Sequence, residues 1–236
     1  MLEAIRQFYK YIRNKELITS LDDAPPITLT KIFHKKYPRL KSVPLPDVER
    51  TESQLETLLE IRKSTRKFTS AQLSMVEISK ILGSCRITDS KREPEKRTYP
   101  SGGARFPVEL YLFAYRIEGL SRGAYHYNIV DGALEILIEE DLRQRIREFI
   151  SPFLENPAAT IVFTSVLARA EVKYGARAYP YSLIEAGYMG QNIELACAEI
   201  GVGSCPVSGF IDDSIKEVLD LTEDEIPIHT ISIGRG

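Results

Sequence analysis

Apolar residues at Leu55, Leu58, Leu59 and Ile61 recur at helical spacing and predict a helix that starts near Glu52 and runs on into residues 62–66. Ser74 and Glu77 form a capping-box pattern ahead of Ile78, Ile81 and Leu82, and Gly83 marks the stop of this second helix. Ahead of both, residues 2–15 are amphipathic and predict a helix, while Pro25, Pro26, Pro38, Pro44 and Pro46 break anything longer. Residues 1–50 are therefore expected to wrap the surface, and residues 51–236 to form the main domain. Residues 108–117 are aliphatic and aromatic on both faces, as in a strand buried within a sheet. Residues 124–127 and 133–138 flank the turn pair Asp131-Gly132 and read as an antiparallel hairpin. Asp141 is placed to cap a helix reaching Ile150, and residues 159–166 and 227–233 read as two further strands. Residues 181–200 are apolar or small nearly all round, with Ala186, Gly187, Gly190, Ala196 and Ala198 among them, which predicts a central buried helix. Strict β-α-β alternation is missing, so the expected class is α+β, a mainly antiparallel sheet with a central buried helix and flanking helices.

Composition narrows the partners. The 236 residues carry a net charge of −2, so no overall positive field attracts nucleic acid or an anionic membrane, and neither is expected as a partner. No apolar run approaches the ~20 residues that span a bilayer, and the first ten residues lack the apolar stretch of a signal peptide. Three cysteines, Cys85, Cys197 and Cys205, form no C-x-x-C pair and leave no complete disulfide framework, so a cytoplasmic, reducing setting is expected. His34, His126 and His229 are mutually remote and lack metal-ligand spacing, so they read as solvated or core histidines, and no metal site is expected.

Four loops carry the candidate chemistry. In Arg97-Thr-Tyr-Pro-Ser-Gly-Gly-Ala-Arg-Phe-Pro, Gly102 and Gly103 can adopt positive φ and carry no Cβ, and Pro100 and Pro107 limit relaxation. Such a loop suits close approach to a phosphate or a flat polar ring, or is a tight entry into the following strand. Arg62, Ser64 and Arg66 stand at i, i+2 and i+4 where a helix gives way to a loop. Two guanidinium forks and a hydroxyl there either converge on one anion or form a solvated basic helix end. Residues 201–210 read as a second glycine-rich turn, and Gly234-Arg235 follow the last predicted strand.

In order and content these motifs resemble the FMN-dependent nitroreductase superfamily, from Arg62 to Arg235. Tyr99-Pro-Ser-Gly-Gly-Ala-Arg-Phe-Pro-Val-Glu-Leu-Tyr, Gly123-Ala-Tyr-His-Tyr-Asn and Glu171-Val-Lys-Tyr-Gly-Ala-Arg-Ala-Tyr-Pro-Tyr are similar to its SagB-type dehydrogenase branch, the flavin enzymes of thiazole and oxazole peptide biosynthesis. Pro180 stands where the branch usually has another basic residue. The resemblance implies a nitroreductase-like FMN-binding domain over residues 51–236 in a domain-entwined homodimer. It implies that Arg62, Ser64 and Arg66 hold the FMN phosphate and ribityl chain, with Arg235 returning to the phosphate. Pro100, Ser101, Gly102 and Gly103 would close over the flavin from the neighbouring subunit. Pro206, Val207, Ser208 and Gly209 would lie at the isoalloxazine ring, the Ser208 N–H facing N5.

Within the same resemblance, Lys173 and Tyr174 are the expected proton-transfer pair. Reference pKa values of about 10.4 and 10 require burial or a nearby charge to lower at least one for work as a base at neutral pH. Arg97, Arg105, Arg177 and Tyr179 are candidates for substrate binding. The activity implied is oxidation of azoline rings in a modified peptide to azoles, with a cyclodehydratase as a possible partner. The alternatives are an NAD(P)H-dependent nitroreductase or quinone/flavin reductase, and a non-catalytic flavin-binding or partner-docking module.

Overall fold

The computed structural model describes residues 2–13, 15, 34–46, 53–150 and 154–236. Pro25 and Pro26, and about half of the segment expected to wrap the surface, lie outside the described residues. Helix α1, Leu2–Ile12, is described and docks through Tyr9, whose hydroxyl donates to Asp212 Oδ1 at 2.7 Å.

Helix α2, Gln54–Ile61, starts at Ser53, whose hydroxyl accepts the Glu56 amide. It stops earlier than its apolar spacing predicts, because Arg62 is already extended (φ −58°, ψ 125°), so the 62–66 motif lies on a stretched loop. Helix α3, Met75–Gly83, has both halves of the predicted capping box between Ser74 and Glu77. A short hairpin, β1 (Ile87–Asp89) and β2 (Lys96–Arg97), leads to a 3-10 turn, Gly102–Ala104.

The main sheet has six strands in the order β5-β4-β3-β6-β8-β7, and every neighbouring pair is antiparallel. They are β3 (Val108–Ala114), β4 (Gly123–Asn128), β5 (Ala133–Ile138), β6 (Ala159–Val166), β7 (Gly203–Val207) and β8 (Glu225–Gly234). Alternation along β3 divides the core. Leu110, Leu112 and Ala114 face one layer with α3 and the long helix α6 (Ala178–Glu199). Tyr111, Phe113 and Tyr115 face the other, with α4 (Arg143–Phe149) and α7 (Asp212–Leu219). Both faces of β3 and β6 are thus buried, as the aliphatic and aromatic residues on both faces of β3 predict.

Helix α6 is the predicted central helix and spans 22 residues. Pro180 is tolerated because it falls in the first turn, where no intrahelical N–H bond is lost. Gly201, at φ +67°, ends the helix and lets the Val202 amide return to the Cys197 carbonyl at 2.9 Å. The segment read as a second glycine-rich turn is instead largely the edge strand β7, paired with β8 from Gly203↔Gly234 to Val207↔Thr230. A further helix, α5 (Ala168–Tyr174), precedes α6. All three cysteines are buried and unpaired.

Candidate functional site

The candidate residues gather in clusters strung along α6. At its C-terminal end the 62–69 loop lies beside β7 and the C-terminal tail. Ser64 bridges Ser204 in parallel, and the Thr65 amide donates to the Ser204 carbonyl at 2.8 Å. A Cβ on Gly203 would come within 2.8–3.0 Å of the Thr65 side chain, so this close approach requires glycine. The Thr69 amide donates to the Arg235 carbonyl at 2.8 Å, which ties the tail to the same loop. Arg62 Nη1 stands 3.3 Å from Glu194 Oε1 on α6. Arg235 pairs with Glu77 of the α3 capping box. Arg66 is exposed and has no carboxylate partner among the described residues.

Arg62, Lys63, Thr65, Glu194 and Ser204 help line a cavity of about 220 Å³ here. That is below the roughly 300–1,000 Å³ of small-molecule sites, so a single chain does not enclose a flavin-sized ligand at this point. Larger hollows lie elsewhere, one of about 560 Å³ beside Tyr115 and Arg116 and one of about 1150 Å³ between α3 and the β4–β5 turn. Neither is lined by the sequence-predicted site residues.

The middle of α6 carries the second cluster. Pro206 and Val207 end β7, Ser208 and Gly209 follow, and Ser208 Oγ lies 3.2 Å from His229 Nδ1. Thr230 Oγ1 donates to the Val207 carbonyl at 2.8 Å. The His229 ring packs on Phe163 and passes Gly190 of α6. Burial lowers the His229 pKa to about 4, so the imidazole is neutral near pH 7 and offers Ser208 a ring nitrogen rather than a charge. Sequence spacing alone gave no reason to join His229 to this motif.

The N-terminal end of α6 carries the third cluster. Gly103, Ala104 and Phe106 all have positive φ (60°, 53° and 45°), a concentration of strain unusual for two non-glycine residues so close together. Ser101 holds this loop, its hydroxyl accepting the Phe106 amide at 2.9 Å. A Cβ on Gly103 would collide with Tyr174 Oη and would come within 2.7 Å of Lys173 Nζ. Tyr181 packs edge-on to Tyr174 at 5.0 Å between centroids and lies against Gly102. Pro100, Ser101, Gly102 and Gly103 are therefore seated beside Lys173 and Tyr174 of the same chain.

Three of the four weaker candidates have structural neighbours. Arg97 is held by Glu95 at 2.6 Å and Tyr99 Oη at 2.9 Å, and lies over the Phe106 ring at 4.0 Å, bracing the strained loop. Arg105 Nε donates to the Arg169 carbonyl at 2.8 Å. Tyr179 packs on Phe8 and Tyr9 of α1, and Arg177 is exposed at the 3-10 turn before α6.

One residue escaped sequence reasoning. Glu185 on α6 is 1% exposed, and its Oε1 has no hydrogen-bond partner. A glutamate inside a helix predicted to be buried all round was the available signal. Burial pushes its pKa up to about 7, against a weaker opposite pull from hydrogen bonding to Ser101 and the Val108 amide and from the charges of Arg97 and Arg169. Because the folded state keeps a proton that the unfolded chain releases near pH 4.5, the stability from the neutral acid is complete below that pH and lost as pH rises toward 7. The change amounts to at most about 3 kcal/mol. Glu185→Gln, which cannot ionise, should remove that part of the slope in denaturant unfolding between pH 4.5 and about pH 7. An unchanged slope would show that Glu185 ionises normally.

An antiparallel six-stranded sheet with helices on both faces and clusters at three levels of one central helix is the α+β architecture shared with solved nitroreductase-family structures, a class of oxidoreductases. Residues 59–235 match the Nitroreductase family, and the chain belongs to that family. It is 29% identical over 196 residues to the nitroreductase-family protein MJ1384 of Methanocaldococcus jannaschii, covering 82% of this chain and 96% of that one. It is 30% identical over 135 residues to the microcin B17-processing protein McbC of Escherichia coli, covering 54% of this chain and half (50%) of McbC. Its fold is similar to a chain of the E. coli microcin synthetase McbBCD complex with truncated pro-MccB17 bound (TM-score 0.83, 25% identity, 100% of this chain and 92% of that one). A nitroreductase-family crystal structure from Ralstonia eutropha JMP134 matches with a TM-score of 0.68 at 26% identity over 82% of this chain and 88% of that one.

Proposed function

We propose that the protein is a SagB-type, FMN-dependent dehydrogenase that oxidises azoline rings in a modified peptide to azoles. The observation that carries this reading is the seating of Lys173 Nζ and Tyr174 Oη on the Gly102–Gly103 loop, a basic and a phenolic group at a strained, glycine-opened surface. A reductase that draws its protons from solvent has no need of such a pair. The likeness to McbC and to the McbBCD complex adds support, and suggests a peptide substrate and a cyclodehydratase partner.

The residues at the C-terminal end of α6 fit an anionic phosphate. Arg62 and Lys63 line a glycine-opened hollow, Arg66 follows on the same loop, and Glu194 is the one carboxylate paired to the three among the described residues. Arg62, Ser64 and Arg66 would hold the phosphate and ribityl chain, with Arg235 nearby on the tail. Pro206, Val207, Ser208 and Gly209 would border the ring. FMN, when bound, supplies the two-electron acceptor for a hydride leaving an azoline ring carbon. Lys173 Nζ or Tyr174 Oη takes the proton released from the ring. Pro100, Ser101, Gly102 and Gly103 close over the site and exclude water, and Arg97 holds that loop against Phe106.

The active form is a homodimer. Leu55, Leu59 and Ile61 on α2 and Leu183, Ile184 and Tyr188 on α6 are exposed, and α2 buries no residue against its own chain. Apolar faces of this extent fit coverage by a second copy. The buried, unpaired cysteines fit a reducing, cytoplasmic setting.

Arg66→Ala should weaken FMN binding by roughly tenfold to over a hundredfold, the worth of a charge-assisted phosphate contact. Arg62→Ala should do the same, with an added loss of stability because it leaves the Glu194 carboxylate unpaired at 8% exposure. Flavin titration of both variants checks this, and unchanged affinity in both would remove the phosphate assignment. For the reaction itself, anaerobic stopped-flow mixing with an azoline peptide should bleach the bound flavin. Bleaching by NAD(P)H alone would favour the reductase reading, to which the likeness to MJ1384 also lends weight.

A further inference from the structure

We propose that Arg169 is a positioning residue for the Lys173–Tyr174 pair, clamping the strained loop of residues 102–106 onto α5 by reciprocal hydrogen bonds, with Glu109 holding its guanidinium from behind. The inference rests on the proton-transfer role given to Lys173 and Tyr174.

Gly103, Ala104 and Phe106 all hold positive φ, and such backbone persists only where its surroundings over-determine it. Within the loop the Ser101 hydroxyl accepts the Phe106 amide, and Arg97 covers the Phe106 ring. Neither contact reaches α5. Two others do, one in each direction. Arg169 Nη1 donates to the Phe106 carbonyl at 3.1 Å, and Arg105 Nε donates to the Arg169 carbonyl at 2.8 Å. Each partner's side chain grips the other's backbone, so the loop cannot slide along α5 without lengthening one of these bonds.

Glu109 on β3 fixes the guanidinium. Its Oε1 accepts from the same Arg169 Nη1, and its Oε2 lies 3.1 Å from His126 Nε2 on β4. His126 Nδ1 lies in turn 2.8 Å from Glu135 Oε2 on β5. The sheet therefore holds the carboxylate on one side while the carboxylate holds α5 on the other. A partly exposed Arg–Glu pair contributes little by itself, and what distinguishes this one is that its shared nitrogen also closes the loop. Arg169 and Lys173 stand four residues apart on α5 and share a face, so a restraint on Arg169 also sets the roll of the helix that brings Lys173 Nζ to Gly103. Arg169 acts through the loop and the helix rather than on a reacting atom.

The test compares Arg169→Met and Arg169→Lys in the full-length protein. The bonds to Phe106 and Glu109 both come from one nitrogen, so a lysine ammonium can supply both and a methionine neither. Amide hydrogen exchange at residues 104–106 should quicken by roughly tenfold in Arg169→Met and return to within about threefold of wild type in Arg169→Lys, while the middle of α6 exchanges as before. In single-turnover flavin reduction by an azoline peptide, Arg169→Met should lose roughly tenfold in rate at saturating peptide with the half-saturating concentration unchanged, and Arg169→Lys should recover it. Exchange at 104–106 that is the same in wild type and Arg169→Met, or an undiminished rate at saturating peptide, would overturn the proposal. Should Arg169→Met not fold, Arg105→Ala alters an exposed side chain and removes only the return bond. It should quicken exchange at 104–106 by roughly twofold to tenfold, and no change there overturns the proposal as well. The exchange measurement needs no substrate, so wild-type protein that leaves azolines untouched would refute the dehydrogenase reading while the clamp is still decided by exchange.

Discussion

Lys173→Ala and Tyr174→Phe should each slow azoline oxidation by about 10²–10⁴-fold, the usual share of a positioned acid or base, while both remain yellow and dimeric. Lys173 is exposed and Tyr174 half-buried, so neither substitution removes much core. Tyr174→Phe keeps the ring that packs edge-on to Tyr181 and deletes only the hydroxyl facing Gly103. Quinone reduction driven by NAD(P)H, if the protein supports it, should be nearly unchanged in both. The check is kcat and kcat/KM with an azoline peptide beside flavin content and molar mass. Loss of rate in both reactions would point to a damaged flavin site rather than to a missing proton acceptor.

A mixed dimer of Arg66→Ala and Lys173→Ala chains should recover about half of wild-type azoline oxidation, although each variant homodimer is impaired at both of its sites. The reason lies in α6. Arg62 meets this helix at Glu194 and the Gly102–Lys173–Tyr174 cluster meets it at Tyr181, thirteen residues or about 20 Å away along the axis. The loop and the pair are seated on each other within one chain, so the chain that supplies the loop supplies the pair as well. If the loop reaches the neighbour's flavin, the mixed dimer contains one site built wholly from unaltered residues. If phosphate and proton groups come from the same chain, each of its sites carries one defect and no rescue occurs. Co-expression with two affinity tags and assay of the doubly tagged fraction separates these outcomes.

The parts of this fold that were legible in the sequence are those where local pattern and burial agree. β3 and β6 carry apolar residues on both faces because both faces are covered, and α6 carries small residues all round because sheet and helices approach it closely. β7 was hidden by Gly203 and Pro206, which lower strand propensity and are admitted here because the strand is at an edge. α5 and α7 were missed because each is short and neither start carries a side-chain cap to mark it, unlike α2 and α3. The site was legible as separate motifs but not as an arrangement. Arg62 and Glu194, Gly103 and Tyr174, and Ser208 and His229 are each far apart in sequence and meet only through the sheet and α6. Glu185 was legible only as a charged residue in a helix expected to be buried all round, since what surrounds its carboxyl comes from the loop and strand before β4 and from α5 rather than from its own helix.

The central claim is that this chain removes two hydrogens from an azoline ring, one as hydride and one as a proton taken by Lys173 or Tyr174. Its most direct test is anaerobic single-turnover mixing of the flavin-loaded dimer with a stoichiometric azoline peptide across pH, following flavin absorbance together with peptide mass. The account predicts bleaching of the flavin matched mole for mole by a peptide lighter by two hydrogens, fast in the wild type and slowed by about 10²–10⁴-fold in Lys173→Ala and Tyr174→Phe. A flavin that stays oxidised beside an unchanged peptide, or both variants reacting at the wild-type rate, would contradict it.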